Sequence, residues 1–334
     1  MSEPLLSVDH LTAGFDIDDR FVPAVIDVSF SVDAGETLCL VGESGSGKSV
    51  TALSIIGLVQ PPGRIARGRV RLNGRDLTEL GEREMRRVRG AEIGFVFQEP
   101  MTALNPVFTI GSHIEETLRA HNLATRRTAR GRAIELLESV SVPEPQRRVD
   151  EYPHQLSGGL RQRALIALAL ACEPKLLIAD EPTTALDVTI QAQILELLRE
   201  LQARMGLGLL LITHDLGVVA EMGNRVAVMY AGRIVEHAPI RPLFAEPKHP
   251  YTRGLLASIP GSAPGTRLNA IPGTVPPLGQ LPPGCSFITR CQNRFEPCPT
   301  AHPGDTAFVL ADSASRTVKC YLHGTAAESA EVSR

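Results

Sequence analysis

The chain has 334 residues, enough for one large domain with an appendage or for two domains. Its apolar fraction of 43% and charged fraction of 21% are ordinary for a globular protein, and its formal net charge of -3 argues against a general electrostatic grip on nucleic acid. No run approaches the roughly 18–20 apolar residues that span a bilayer, and no basic segment followed by an apolar stretch opens the sequence. We therefore expect no secretory signal and a cytosolic protein.

The N-terminal part is predicted to be rich in strands. Residues 5–41 contain three apolar stretches, and the last of them, Thr37–Val41, leads into a glycine loop and then a helical pattern over Val50–Leu58. Further along, the pair Asn73-Gly74 between alternating residues predicts a β-hairpin. The order strand, glycine loop, helix is the context in which a phosphate-binding loop is expected.

The glycine loop fits the pattern Gly-x4-Gly-Lys-Ser of nucleotide phosphate loops. Glycines let the backbone amides point at phosphates, and the N-terminus of the following helix adds a favourable partial charge. Lys48 would neutralise the β- and γ-phosphates, and the Ser49 hydroxyl would ligate Mg²⁺. The predicted ATP-binding residues are Gly42, Ser44, Gly45, Ser46, Gly47, Lys48, Ser49 and Val50.

The middle of the chain alternates helices with buried strands. The predicted elements are helices over residues 110–141, Gly158–Cys172 and Val188–Met205, and buried strands over Lys175–Ala179 and Leu207–Thr213. Ser157 is the predicted N-cap of the second helix. This alternation implies an α/β domain with a largely parallel core sheet, into which the helical stretch at about 100–168 is inserted.

One of these strands ends in two carboxylates, Asp180 and Glu181. Asp180 would hold the Mg²⁺ shell, whereas Glu181, one residue further on, would orient or deprotonate the attacking water. A strand that ends in solvated acids is common by itself. Beside a phosphate loop it indicates ATP hydrolysis.

The segment Leu156–Arg163, which reads LSGGLRQR, closely resembles the LSGGQ signature of ATP-binding cassette (ABC) ATPases. The remaining motifs follow in that family's order. Gln98 matches the Q-loop glutamine, Ala185–Asp187 resembles the D-loop, and His214 matches the switch histidine. The resemblance covers about residues 5–236.

This resemblance implies an α/β fold, the ABC-type P-loop nucleotide-binding domain, with a RecA-like core sheet, an antiparallel β subdomain and a helical subdomain. It implies these catalytic residues: Glu181, His214, Gln98 and Lys48. It implies these Mg²⁺ ligands: Ser49, Gln98 and Asp180. Phe15 is the aromatic residue expected to stack on adenine, and Phe21 is the alternative.

The signature segment implies a dimer. In the family, Ser157, Gly158 and Gly159 face the γ-phosphate of ATP that the opposite subunit holds, and Asp187 also belongs to the nucleotide site. Leu160 stands where the family most often has Gln. Because the chemistry rests on the Ser157 hydroxyl and the two glycine amides, we do not interpret this departure as a loss of activity.

Three sequence segments resemble the corresponding segments of one branch of the family, the dipeptide/oligopeptide importer ATPases. These segments are residues 98–106, 179–191 and 249–252. That branch implies two membrane permease subunits, a second related ABC ATPase subunit, an extracytoplasmic peptide-binding protein, no nucleic acid, and a peripheral position on the cytoplasmic face of the bacterial inner membrane. An importer of nickel or another small solute stays an alternative. A soluble ABC ATPase acting on DNA or ribosomes is less favoured, since the chain has one cassette and no long coiled coil. A regulatory module without turnover is disfavoured by the intact Glu181 and His214.

After about residue 236 the composition shifts towards Pro and Gly. We predict a nucleotide-binding domain over 1–236 and a loop-rich extension over 237–334, with the last ten residues disordered. The extension contains four cysteines: Cys285, Cys291, Cys298 and Cys320. Four thiolates suit zinc or an iron–sulfur cluster, and unligated cysteines are the third possibility. The resemblance to peptide-importer ATPases, some of which bind a [4Fe-4S] cluster, favours the cluster.

Overall fold

The computed structural model describes residues 3–258, 271–310 and 315–324. The predicted disorder of the last ten residues lies outside them. The strands are β1 (Leu6–Ile17), β2 (Arg20–Val32), β3 (Thr37–Val41), β4 (Gly63–Leu72), β5 (Arg75–Asp76), β6 (Ile93–Val96), β7 (Leu176–Asp180), β8 (Gly208–Thr213), β9 (Arg225–Tyr230), β10 (Arg233–Pro239), β11 (Thr306–Val309) and β12 (Ser315–Val318).

The helices are α1 (Lys48–Ile55), α2 (Glu82–Val88), α3 (Pro100–Ala103), α4 (Ile110–Ala120), α5 (Ala129–Ser139), α6 (Pro145–Arg148), α7 (Gly158–Ala169), α8 (Val188–Met205), α9 (Leu216–Met222), α10 (Ile240–Ala245) and α11 (Pro250–Ala257). A short 3-10 helix covers Pro153–Gln155. Within the described ranges no helix has the length and apolar character needed to cross a membrane.

The chain forms two compact units. The first comprises Met1–Leu6, Ser31–Thr37 and Arg71–Ile212, and the second comprises Ser7–Phe30, Leu38–Val70 and Thr213–Arg334. Both units draw on segments that are far apart in the sequence, so neither corresponds to a continuous half of the chain.

The first unit contains parallel strands in the order β8-β7-β6, with Ile93 opposite Leu176 and Leu176 opposite Gly208. Every residue of β7 and β8 is buried, which explains their continuous apolar runs. Helices α4, α5 and α7 pack against one another and form the predicted helical insertion. Thr109 caps α4 by accepting a hydrogen bond from the Ser112 N–H at 3.2 Å.

The predicted hairpin also lies in the first unit. Arg71 and Leu72 at the end of β4 pair antiparallel with Asp76 and Arg75 of β5. Asn73 and Gly74 between them have φ values of 48° and 77°, as a two-residue turn between twisted strands requires.

The second unit contains two sheet segments. Strands β2, β1 and β4 are neighbours in one sheet, and β11, β12, β10, β9 and β3 follow in that order in the other. Strands β3 and β9 are parallel, with Leu38 opposite Arg225, whereas β9, β10, β12 and β11 pair antiparallel. Glu236 of β10 lies opposite Val318 of β12, so the C-terminal extension continues this sheet.

The predicted α/β fold is confirmed, and two details differ. Helix α7 ends at Ala169 rather than Cys172, because the chain leaves the helix at Leu170. The extension also contains four short elements that the sequence analysis did not predict, α10, α11, β11 and β12, whereas its described residues 271–305 lie outside helices and strands. Those four elements are short and have weak hydrophobic periodicity, which is why the sequence pattern did not predict them.

Candidate active site

The phosphate loop follows β3 and leads into α1 in the second unit. Gly45 and Gly47 have φ values of 78° and 101°, a region that side-chain-bearing residues rarely adopt. Gly42 needs its missing side chain for another reason, since a Cβ there would lie 2.2 Å from the Met229 carbonyl oxygen. The loop is closed by a hydrogen bond from the Ser46 N–H to the Glu43 carbonyl at 3.2 Å. Glycines at positive φ in a loop that leads into a helix are typical of backbone segments that bind anions.

Lys48 lies across this loop. Its Nζ donates to the carbonyl oxygens of Gly42 at 2.8 Å and Glu43 at 3.0 Å, and the residue is only 5% exposed. Ser49, the next residue of α1, is exposed. The ammonium group is therefore held against the carbonyls of the phosphate loop, a position that fits its predicted role of neutralising phosphate charge.

Two predicted catalytic residues of the first unit are in contact. The Gln98 Nε2 donates to Glu181 Oε2 at 3.1 Å, and the Thr184 hydroxyl donates to the same oxygen at 2.8 Å. Glu181 has a φ of 48°, a strained value for a residue with a side chain, and follows directly on the buried strand β7. Two donors on one carboxylate oxygen orient this group, which fits a residue that must aim at a water molecule.

Asp180 is the last residue of β7 and is 5% exposed. Its carboxylate, the Gln98 amide oxygen and the Ser49 hydroxyl are all oxygen donors, the class of ligand that Mg²⁺ prefers. The chemistry of the residues thus fits the ion.

The signature segment lies at the N-terminus of α7. The Ser157 side chain accepts a hydrogen bond from the Leu160 N–H at 3.4 Å and caps the helix, as predicted. Ser157 and Gly158 are exposed, and so is Asp187, whose side chain caps α8 through the Ile190 N–H at 2.9 Å. A Cβ on Gly159 would lie 2.7 Å from the Ile190 side chain, so the two helix starts pack closely.

The remaining predicted residues lie in the second unit. His214 is exposed and follows β8, one residue before the Asp215 N-cap of α9. Phe15 is half-buried on β1, where its ring lies 3.0 Å from the position of a Cβ on Gly63. Phe21 on β2 differs from it, because the Arg64 guanidinium covers one face of its ring at 4.6 Å.

The four cysteines of the extension line one pocket, together with His249, Phe287 and other residues of the extension. Burial, together with the neighbouring cysteines, raises the pKa values of Cys285 and Cys320 to about 11. Four sulfur donors on one pocket match the chemistry of a soft metal site. However, the described residues contain no group of three or more His, Cys, Asp or Glu side chains arranged to hold a metal ion.

Sequence analysis missed a contact between the extension and the phosphate loop. Arg290 forms an ion pair with Glu43, with 2.9 Å between Nη1 and Oε2, and the Glu43 N–H donates to the Tyr251 hydroxyl at 2.9 Å. These residues are more than 200 positions apart in sequence, and no short motif marks such a pairing.

Comparison with known proteins gives two family matches. The family model described as ABC transporter matches residues 25–184, and the model described as the C-terminal region of oligopeptide/dipeptide transporters matches residues 235–298. The chain is 51% identical over 321 residues to the oligopeptide transport ATP-binding protein AppD of Bacillus subtilis (strain 168), covering 96% of the chain and 97% of the relative. It is 49% identical to the dipeptide transport ATP-binding protein DppD of the same organism, over 99% of the chain and 98% of the relative.

Solved structures of ABC transporter cassettes are also similar to this chain. A dimeric bacterial ABC transporter cassette is 32% identical and has a TM-score of 0.63, covering 71% of this chain and 99% of its own. A dimeric post-hydrolysis form of that cassette, bound to ADP and phosphate, matches at 31% identity and the same TM-score of 0.63. The likeness therefore extends over the whole of that cassette and leaves part of the present chain beyond it.

Proposed function

The chain belongs to the ABC transporter family, in the branch of oligopeptide and dipeptide transport ATP-binding proteins, and from this we infer that it is the ATP-hydrolysing subunit of a peptide importer. The observation that carries the hydrolytic part is the oriented carboxylate of Glu181, which receives hydrogen bonds from Gln98 and Thr184 at the end of a buried strand. Membrane permease subunits are the partners that this function requires.

Within that function we assign the residues as follows. Lys48 and the amides of the phosphate loop bind the triphosphate, and Ser49, Gln98 and Asp180 hold Mg²⁺, which when bound neutralises phosphate charge. Glu181 orients and deprotonates the attacking water, and His214 contacts the γ-phosphate. Phe15 stacks on adenine, an assignment supported by the guanidinium that already covers one face of Phe21.

Ser157, Gly158, Gly159 and Asp187 act on ATP held by a second ATPase subunit. The exposed position of Ser157 at the N-terminus of α7 supports this assignment, because such a helix end attracts phosphate charge. The partner in this proposal is a different but related chain, so that the working unit is a heterodimer. Two permease subunits at the cytoplasmic face of the membrane and an extracytoplasmic peptide-binding protein complete the assembly.

Transport in reconstituted vesicles tests this proposal. The complex containing Glu181→Gln should lose about 10²–10⁴-fold in ATP-driven peptide uptake, because the general base is replaced by a neutral amide. Glu200→Gln, an exposed carboxylate on α8, is the matched control and should leave uptake unchanged. Persistent uptake with Glu181→Gln would contradict the assignment of this subunit as the motor, and uptake of nickel without peptide would favour the alternative solute.

The chain divides in this proposal at residue 236, with the nucleotide-binding domain over 1–236 and the extension over 237–334. The C-terminal family model begins at residue 235, close to this boundary. We propose that the four cysteines of the extension, which line one pocket, hold a [4Fe-4S] cluster with a structural role. Because the described side chains are not arranged to hold a metal ion, binding would have to draw the cysteines together. Burial raises the pKa values of the Cys285 and Cys320 thiols, so a bound metal would have to stabilise the thiolates of these two residues.

Anaerobic purification with iron and acid-labile sulfide analysis decides the cysteine assignment. The wild-type chain should contain both elements, Cys291→Ser should lose them, and Cys172→Ser, a cysteine outside the pocket, should keep them. Zinc without sulfide would replace the cluster by a zinc site. Protein free of both metals would mean that the cysteines are unligated.

A further inference from the structure

One residue of the phosphate loop, Glu43, is held by the C-terminal extension through both its side chain and its backbone. Its carboxylate pairs with Arg290 at 2.9 Å, and its N–H donates to the Tyr251 hydroxyl at 2.9 Å. Its carbonyl oxygen accepts from Lys48 at 3.0 Å. Glu43 therefore connects the extension directly to the lysine that faces the phosphates.

The Arg290 side chain is held by contacts within the extension in addition to its ion pair with the phosphate loop. Its Nε donates to the Pro272 carbonyl at 2.9 Å and its Nη2 to the Ile271 carbonyl at 3.3 Å. The Arg290 side chain is 4% exposed, and the rings of Tyr230 and Phe287 lie 5.7 and 5.9 Å from its guanidinium. An arginine already held at two nitrogens loses little freedom when a third pairs with a carboxylate, so its pairing with Glu43 is preorganised.

Tyr251 is equally constrained. It is fully buried, and its ring lies 4.7 Å from that of Tyr230 and 5.4 Å from that of Phe287. Burial raises the pKa of Tyr251, so its hydroxyl stays neutral and can accept the Glu43 N–H. Tyr230 ends β9, which pairs with β3, so the ring cluster joins the extension to the strand that precedes the loop.

We propose that Arg290 and Tyr251 are positioning residues for ATP binding, which makes the C-terminal extension a working part of the nucleotide site. Arg290 neutralises a carboxylate that would otherwise repel the triphosphate from inside its own loop. Tyr251 fixes the peptide group before Glu43, and Arg290 fixes the side chain. Together they hold the Glu43 carbonyl where Lys48 contacts it. This inference rests on the ATP hydrolysis of the proposed function.

Arg290→Met tests the charge contribution in the full chain. We expect about tenfold weaker binding of a fluorescent ATP analogue and a similar rise in the KM for ATP, with kcat within about twofold of wild type, because binding and not chemistry is disturbed. Arg253→Met removes an exposed arginine of the same extension, one that donates to the Pro247 carbonyl, and should change neither constant.

A second substitution separates positioning from general stability. Because the harm in Arg290→Met comes from the unpaired carboxylate, adding Glu43→Gln should restore ATP affinity to within about threefold of wild type, a clear departure from additivity. Arg290→Lys, which keeps the charge but not the planar fork, should fall between wild type and Arg290→Met. If Arg290→Met does not fold, Arg290→Lys still tests the proposal.

The backbone contact is tested by Tyr251→Phe, which removes one hydroxyl and keeps the ring. We expect about threefold weaker ATP binding, since a single neutral hydrogen bond is lost. Tyr321→Phe deletes the same atom elsewhere in the extension and should have no effect. ATP affinity unchanged in Arg290→Met and Arg290→Lys, or a lower melting temperature without a change in KM, would overturn the proposal. Absence of ATP binding in the wild type itself would instead refute the proposed function.

Discussion

The phosphate loop and the C-terminal extension lie in the same compact unit but are held by different kinds of interaction. The loop is built from neighbours in sequence, with glycines at positive φ and a lysine that bonds to carbonyls five and six residues before it. The extension is held by contacts between distant residues, such as Arg316 with Glu236 and Arg290 with Glu43. The nucleotide site therefore combines a part that a short motif specifies with a part that no motif describes.

The central contact of the extension is a buried ion pair. Glu236 and Arg316 are 0% and 2% exposed, and they pair directly. The Glu236 carboxylate also accepts hydrogen bonds from the backbone N–H groups of Lys248 and His249, each at 2.9 Å. One carboxylate thus joins β10, the start of α11 and the strand β12. Such a network stabilises only while every partner is present.

The largest effect is expected when this network loses its cation. Arg316→Met should lower the free energy of unfolding by about 3–5 kcal/mol, because Glu236 is left as an unpaired buried charge. Denaturant unfolding of the full chain measures this, and Arg241→Met, an exposed arginine on α10, should change stability by less than about 0.5 kcal/mol. The double variant Arg316→Met with Glu236→Leu should recover much of the loss. An equally unstable double variant would mean that packing, and not charge pairing, holds the extension.

This contrast also decides what could be predicted from the sequence. The loop, the strand ending in Asp180 and Glu181, and the cap at Ser157 could be predicted because each depends on residues a few positions apart. The contact of Gln98 with Glu181 could be expected only through the order of family motifs. The pairing of Arg290 with Glu43 could not, since an arginine between two cysteines carries no local sign of its partner. A polar contact between residues so far apart in sequence can be identified only from the three-dimensional structure.

The second prediction concerns the loop itself. Lys48→Ala should reduce ATP hydrolysis about 10²–10³-fold, as expected when one preorganised charge on the reacting phosphates is removed. Thermal stability should change much less than in Arg316→Met, because the two backbone carbonyls that Lys48 contacts carry no net charge, whereas Arg316→Met leaves the Glu236 carboxylate buried and unpaired. Steady-state ATP hydrolysis and thermal unfolding, measured on the same preparation, check the expected loss of activity and the expected small change in stability. Lys175→Ala, at an exposed lysine, is the control. A loss of stability as large as that of Arg316→Met would remove the distinction between the two regions.

The smallest effect tests whether the loop is specified by backbone conformation. Gly47 has a φ of 101°, and a Cβ there would lie 2.6 Å from the Ala24 carbonyl oxygen, so Gly47→Ala should cost about 1–3 kcal/mol of stability and weaken ATP binding. Gly131 in α5 has nothing within 4 Å of a Cβ, and Gly131→Ala should stabilise the chain by about 0.5–1 kcal/mol through helix propensity. Opposite signs for the same added methyl group would mean that the loop depends on φ and on close backbone approach. Equal effects would imply that its glycines act only through flexibility.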